Sequence, residues 1–480
     1  MALLNTSIGP ERVQVFDVPI GTIQVPGVST SVTAFLIGTT KVGAPLNTPT
    51  SVTDLTTFEN TFGNPDEVLY GAYYAVQGFF DNAGTGNTAI IVNVGATPAA
   101  SDFVGDASLG TGLRALDPVD VVGLVCVPGL PLSLAYIVHP ALIDYSKTVR
   151  AEFGATLSTT FSLIGEPLEI TKANTDVQVG SPSYTINSIV SNVLHLATAD
   201  LSAITPGMIV KKAGVYKATI TAVDDGADTL TVSTTSGLSA TDTITLHIPS
   251  AITYKDLEVN DPSRVAGWYF NPVLVLDRSS LALPGALVAV DPVGHVAGIM
   301  ARIDANISIG GVSHAPAGIQ FAGIAGINGL SLTLSERIDA EPLRLAFINR
   351  ITSFSGSGNV VFGGYTAGGS LVTADEQLIQ VMRALQFIKG SLERGLRGFL
   401  WENFSPETQE KVSRAIEAFL RNNIYLFPAG LPESQQFKVI SVEATQNEID
   451  EGLLRVRVQV KPNKAVRFIE IALEFPLPTA

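Results

Sequence analysis

One cysteine, Cys126, stands among 480 residues. A single thiol excludes an intramolecular disulfide and a thiolate metal cage, and it fits a reducing compartment. Charge is also scarce. The 29 Lys and Arg and 44 Asp and Glu make up 15% of the chain, where an ordinary soluble domain carries about 25%. A compact monomer keeps its copies apart with a charged skin, so a chain with so thin a skin is expected to cover much of its surface with partners. Positive charge is scarcest, and the net charge of −15 opposes phosphate neutralisation and direct nucleic-acid binding. A hydrophobic content of 46% excludes a disordered chain.

No clean membrane-spanning run is present. Residues 121–138 are long enough, but Pro128-Gly129 and Pro131 break them as a helix. Residues 305–335 lack Asp, Glu, Lys and Arg, yet scatter Asn306, Ser308, His314, Gln320, Asn328 and Ser331 among glycines, which is poor lipid chemistry. No membrane insertion is expected. The start, MALLNTSIGPERVQ, has no basic n-region, so no secretory signal is expected either.

Catalytic patterns are missing too. There is no G-x-S-x-G and no H-E-x-x-H. Gly110-Thr111-Gly112-Leu113-Arg114-Ala115 matches G-x-G-x-x-A, but a polar loop precedes it where a dinucleotide site needs a strand. Residues 355–358 (SGSG) lack the lysine of a phosphate loop. His139, His195, His247, His295 and His314 lie far apart without ligand spacing. His295 reads as a local hydrogen-bonding residue. Asp224-Asp225 adjoins Gly226, which predicts a turn. No active site, metal or cofactor is nominated.

What is present is layered. At about 150 residues per domain, three domains are expected. Residues 1–25 read as an arm: 12–18 alternate polar and apolar between Pro10 and Pro19, and a lone strand needs a sheet to join. Residues 26–166 alternate strand and helix, with strands at 32–37, 89–94 and 121–127 and helices at 53–62, 69–80 and 140–153, which predicts a sheet with helices on its faces. Residues 167–250 are Thr-, Ser- and Val-rich with recurring turns. They carry a weak repeat, 185–196 against 219–232 and 200–210 against 236–246, which predicts an inserted all-β domain, sandwich or barrel. The α/β pattern resumes over 251–372, with a strand at 267–276. Residues 373–480 form a last segment with helices at 376–388 and 392–399. A third helix opens at Ser405-Pro406 with the apolar stripe Val412, Ala415, Ile416, Phe419 and Leu420. An alternating strand at 454–460 and a final strand running almost to the C-terminus follow.

Five runs, in order, resemble the sheath protein of contractile phage tails and related contractile injection systems: residues 10–40 with PGVSTS, 53–84, 112–129 (GLRALDPVDVVGLVCVPG), 291–318 (DPVGHVAGIMARIDANISIGGVSHAPAG) and 387–422. The fourth is the most specific, although Ser313-His314 stands where the family commonly has Lys before Ala-Pro. Residues 167–250 lie outside the resemblance.

The resemblance implies a structural subunit, not an enzyme. Such subunits stack as hexameric rings in a helical homo-oligomer around an inner tail tube protein, between baseplate and tail terminator proteins. They contract from a metastable extended state and need no cofactor. Terminal arms add strands to neighbouring subunits. The implied N-terminal arm residues are Val13, Val15, Phe16 and Val18. Those of the C-terminal arm are Ile469, Ile471, Leu473 and Phe475. Val456, Val458 and Val460 would belong to the receiving sheet, and Lys411, Arg414 and Arg421 would face the tube or form an ordinary solvated helix face. The implied setting is a virion tail assembled in the host cytoplasm, or a cytoplasmic cellular injection system. A surface adhesin and an α/β enzyme with a β accessory domain are the readings from other classes.

Overall fold

The computed structural model describes residues 25, 27, 29–149, 159–197, 199–258, 264–333, 339–443 and 454–467. They divide into two compact units. Residues 27–390, 425–436 and the chain from 460 form the larger one, and 391–424 with 437–459 the smaller.

The larger unit opens with β1 (Thr33–Ile37), β2 (Thr50–Val52), α1 (Leu55–Phe62), α2 (Ala72–Ala83), β3 (Ala89–Asn93), α3 (Ala100–Val104), β4 (Leu124–Cys126), α4 (Leu132–Asp144) and β5 (Phe161–Gly165). Six further strands follow: β6 (Val177–Val190), β7 (Val193–Leu196), β8 (Ile209–Lys212), β9 (Val215–Asp224), β10 (Thr229–Val232) and β11 (Thr243–Ile248). The chain then runs through α5 (Ala251–Glu258), β12 (Ala266–Phe270), β13 (Val273–Leu276), β14 (Leu287–Val290), α6 (Val293–Ala305), β15 (Gly329–Leu330), α7 (Ala340–Leu345), β16 (Asn349–Phe354), β17 (Gly358–Phe362) and α8 (Ile379–Gly395).

The central sheet has the order β17-β16-β12-β5-β4-β1-β3-β2. Pairings from β16 to β3 are parallel, and β17 and β2 close the edges antiparallel. A parallel sheet needs cover on both faces, and β1, β3, β5 and β12 are buried at every position. Alternate side chains serve opposite faces. Ala34, Leu36, Ile90 and Val92 join one core with α4, while Phe35, Ile37 and Ile91 join the other with α2 and α6. The expected layered α/β architecture is present.

Residues between β5 and β12, which pair directly with one another, loop out as a closed six-stranded barrel, β10-β7-β6-β11-β8-β9. Exchanging β6 with β9, β7 with β10 and β8 with β11 maps its neighbour pairs onto themselves. The weak sequence repeat is thus two related hairpins with internal two-fold symmetry. The β8–β9 turn takes positive φ at Ala213 and Gly214, the hand that matches strand twist. Asp224 and Asp225 accept from the amides of Ala227 and Leu201 at 3.1 and 2.6 Å, which is turn chemistry.

Four local expectations differ. The strand expected at 267–276 is two, β12 and β13, parted at Asn271-Pro272 and placed in different sheets. The helix expected at 140–153 is α4, which begins eight residues earlier. Pro131 stands at its N-cap with φ −65°, where a fixed φ starts a helix rather than ending a loop, and Pro140 sits inside it. The strand expected at 121–127 shortens to β4 because loop residues flank it. The helices expected at 376–388 and 392–399 are one helix, α8, followed by a 3-10 turn at Leu396–Phe399.

The G-x-G-x-x-A run is a 3-10 turn. Gly112 has φ +56°, and a Cβ there would lie 2.4 Å from the Asp102 carbonyl oxygen, so its glycine serves a close backbone approach.

His295 is not the hydrogen-bonded group the sequence suggested. It is buried in α6 against Gly78 of α2, and its Nδ1 has no partner among the described residues. Burial lowers its pKa to about 4 and that of His139 to about 3, and raises that of Asp291 to about 6. Less buried, His247 shifts down and Asp256 up. Between roughly pH 4 and 6 the unfolded chain holds two imidazolium protons that the native chain lacks, and the native chain holds one on Asp291 that the unfolded chain has lost. The unfolded state binds one more proton, so stability should rise with pH across that window, by about 1.4 kcal/mol per unit. Denaturant midpoints at pH 4.5 and 6 check this. His295→Phe should flatten the slope, and an unchanged slope would refute the assignment.

Candidate functional site

The most specific sequence run, 291–318, builds the first part. Asp291 accepts from the Gly129 and Val293 amides at 2.9 and 3.0 Å, joining the loop after β4 to the start of α6. Gly294 and Gly298 lie against α2, where added Cβ atoms would sit 1.9 Å from the Ala75 carbonyl oxygen and 2.5 Å from that of Phe79. Arg302 donates to the carbonyls of Phe321 and Gly323 at 3.1 and 3.0 Å.

Asp304 ends the run. It takes a bidentate ion pair from Arg383 of α8, at 2.9 and 2.5 Å, with the two side chains 6% and 3% exposed. Thr30 donates its hydroxyl to Asp304 at 2.6 Å, and its carbonyl accepts from Arg383 at 3.1 Å. The root of the N-terminal segment is therefore pinned by a buried charge pair. Gly123 closes over it, since a Cβ would lie 2.2 Å from the Thr30 carbonyl oxygen. The C-terminal root is held as well. Lys461 and Asn463 donate their amides to the carbonyls of Gln436 and Leu426 at 2.8 and 2.9 Å, and Lys464 pairs with Asp375.

The smaller unit holds α9 (Pro406–Asn422). Ser405 caps it, accepting from the Thr408 amide at 3.1 Å. Its stripe Val412, Ala415, Ile416, Phe419 and Leu420 is buried, and the helix packs on β18 (Phe437–Glu443); a short helix, α10 (Glu433–Gln436), lies just before that strand in the larger unit. β18 pairs with β19 (Arg455–Val460) as a two-stranded sheet. Val456, Val458 and Val460 are half-buried, alternating with exposed Arg455, Arg457 and Gln459. In a two-stranded ribbon each strand keeps one edge with no paired strand among the described residues. The three basic residues of α9 form i,i+4 ion pairs: Lys411 with Glu407 at 3.0 Å, Arg414 with Glu410 at 2.5 Å and Arg421 with Glu417 at 3.6 Å. Val13, Val15, Phe16, Val18, Ile469, Ile471, Leu473 and Phe475 lie outside the described residues.

A cavity of about 550 Å³ opens in the larger unit. Phe354, Phe362 and Tyr365 line it with Arg344, Arg350, Arg467 and Glu341, and Gln380 lies at its small-residue floor. Among the described residues there is no cluster of three or more His, Cys, Asp or Glu that could hold a metal, and no helix is long and apolar enough to cross a membrane. Cys126 is fully buried in β4, where burial and then Asp291 raise its thiol pKa well above the ordinary value, the opposite of an activated thiolate.

No family model matches the chain, and no curated protein matches it. Solved structures do. The helical sheath of the anti-feeding prophage in its contracted state aligns with a TM-score of 0.61 at 18% identity, covering 97% of this chain and 99% of that one. The fold is that of a contractile sheath subunit. The contracted sheath complex of PVC, an extracellular contractile injection system, aligns at 0.60 and 17% identity over 98% of each chain. A chain of the six-fold symmetrised baseplate of the anti-feeding prophage aligns at 0.59 and 17%, covering 98% of this chain and all of that one. The sheath fold thus extends over nearly the whole chain.

Sequence reading missed the Thr30–Asp304–Arg383 anchor, because its members lie 274 and 79 residues apart. A faint signal existed: Arg383 interrupts the apolar run VMRALQF, and Asp304 is the last charge before a long uncharged stretch.

Proposed function

We propose that this chain is a structural subunit of a contractile sheath that stacks in hexameric rings around an inner tube and contracts from a metastable extended state. The observation that carries the proposal is end-to-end agreement of its fold with sheath chains. The low charge content supports it, since a subunit buried in a lattice needs little solvated skin. Arms from neighbours would add strands to β18–β19, with Val456, Val458 and Val460 on the receiving sheet, while Val13, Val15, Phe16 and Val18 and then Ile469, Ile471, Leu473 and Phe475 supply the entering strands. The pinned roots at Thr30 and at 461–464 would transmit load from those arms into the core. The paired bases of α9 favour a solvated face over a tube contact at Lys411, Arg414 and Arg421, because exposed ion pairs contribute little.

Baseplate and terminator proteins would bound the array. A sheath could serve a phage tail or a cellular injection device, and the match to an extracellular contractile injection system favours the second. Stored lattice energy would drive contraction without nucleotide.

Negative-stain microscopy of the full chain beside a version lacking residues 1–22 tests this. Hollow cylinders from the full chain and none from the truncation are expected. Cylinders from both would remove the N-terminal arm from the mechanism. Monomers from both at high concentration would overturn the sheath assignment.

A further inference from the structure

The cavity in the larger unit has an unusual floor. Gln380 is 1% exposed, and neither its amide nitrogen nor its carbonyl oxygen has a hydrogen-bond partner among the described residues. Buried amides are nearly always paired, and an orphaned one calls for a missing partner. Glycine and alanine hold space open in front of it: a Cβ on Gly364 would stand 3.7 Å from the Gln380 Oε1 and 3.9 Å from the Cβ atoms of Ala315 and Ala317. The walls are Phe354, Phe362 and Tyr365. Among the described residues its lining holds Arg344, Arg350 and Arg467 and the acid Glu341, which pairs with Arg344, so the rim is rich in arginine. Such a site suits an aromatic group with an N–H to donate and a carboxylate beside it.

The chain carries that combination elsewhere. Trp401 is fully exposed, at 102%, with φ +72°, and Leu400 beside it is 66% exposed; Glu402 is exposed as well. A left-handed backbone at a bulky residue is a genuine outlier, and it persists where it serves a site. Tryptophan is the residue most enriched at binding hot spots.

We propose that Leu400-Trp401-Glu402 of one copy docks into this cavity of a second copy. The indole ring enters between the aromatic walls, its N–H donates to the Gln380 carbonyl, and the Glu402 carboxylate meets the arginine-rich rim. The Gln380 amide donates to a carbonyl of the entering loop. Knob and cavity are different surfaces of one chain, so the contact is heterologous. It propagates rings or helices rather than closing a two-fold dimer. This contact is separate from the β18–β19 ribbon. It rests on the sheath reading only in naming a second copy as the partner.

Three measurements test it on the full chain. A labelled peptide spanning residues 398–404 is titrated by fluorescence anisotropy. It should bind the wild-type chain, while Gly364→Leu, which plugs the cavity, and Gln380→Leu should weaken binding at least tenfold. Trp401 and the fully buried Trp268 are the chain's two tryptophans, so assembly should blue-shift the emission that Trp401→Phe removes. Glu402→Arg should raise the concentration needed for assembly, and Arg467→Glu in the same chain should lower it again. Equal peptide binding by wild type and Gly364→Leu would overturn the inference, as would normal assembly of Trp401→Ala, and in either case cylinders would leave the sheath reading standing. Peptide binding without cylinders would uphold the cavity and sink the sheath.

Discussion

Replacing Arg383 with alanine should destabilise the larger unit by about 3–5 kcal/mol, because it strands Asp304 as a buried, uncompensated charge. The pair is bidentate and nearly solvent-free, and Asp304 also accepts from Thr30. Lysine at position 383 should recover only part of the loss, since an ammonium cannot reproduce the fork that spans Asp304 and the Thr30 carbonyl. Replacing both partners, Arg383→Met with Asp304→Leu, should return most of the stability, because well-packed apolar residues often equal a buried ion pair. Denaturant midpoints at neutral pH read all three. A loss under about 1 kcal/mol for the alanine variant would show the pair to be dispensable. The double variant also separates two roles. It restores the core but leaves Thr30 without its anchor, so a variant that is stable yet deficient in cylinders would show that the anchor carries load from the N-terminal segment.

Gly294→Ala should be comparably severe, at about 3 kcal/mol or more, and it sets two opposing effects against each other. Alanine in a helix is intrinsically favoured over glycine by about 1 kcal/mol. Here its methyl would sit 1.9 Å from the Ala75 carbonyl oxygen, while a Cβ on Gly298 would lie 2.5 Å from the Phe79 carbonyl oxygen and 3.1 Å from the Ala83 amide nitrogen. Backbone cannot swing aside as a side chain can, so α2 and α6 must separate and the core beneath them must repack. Packing wins over propensity. Gly323→Ala is the control. It has no neighbour within 4 Å of the added Cβ and no positive φ, and should change stability by less than about 0.5 kcal/mol. Thermal melts that shift equally for both would refute the close-approach account.

The same glycines show how far a sequence can be read. The run 291–318 was recognisable as a pattern, but its reasons were spatial. Gly294 and Gly298 are small because α2 crosses there, Arg302 reaches carbonyls about twenty residues on, and Asp304 waits for Arg383. Helix α9 was legible down to its cap. Ser405, Pro406 and the apolar stripe are local signals with a fixed 3.6-residue period. Helix α4 was misplaced because Pro131 was read as a breaker and Pro140 as a helix start, whereas Pro131 stands at the N-cap and tertiary packing tolerates Pro140 inside the helix. His295 was misread because nothing local reports that α2 covers it.

The sequence by itself determined what depends on neighbours along the chain and on composition: alternating strands with helices between them, the repeated hairpins between β5 and β12, the α9 stripe, and a low content of charge. The tertiary structure alone decided what depends on distance in space. It brought Thr30, Asp304 and Arg383 together, closed the hairpins into a two-fold barrel, and set an unpartnered Gln380 at the floor of an aromatic cavity. Periodicity and capping are short-range and leave a mark on the sequence. A buried charge pair or a close helix crossing joins residues whose separation along the chain is arbitrary, so only folding makes them neighbours.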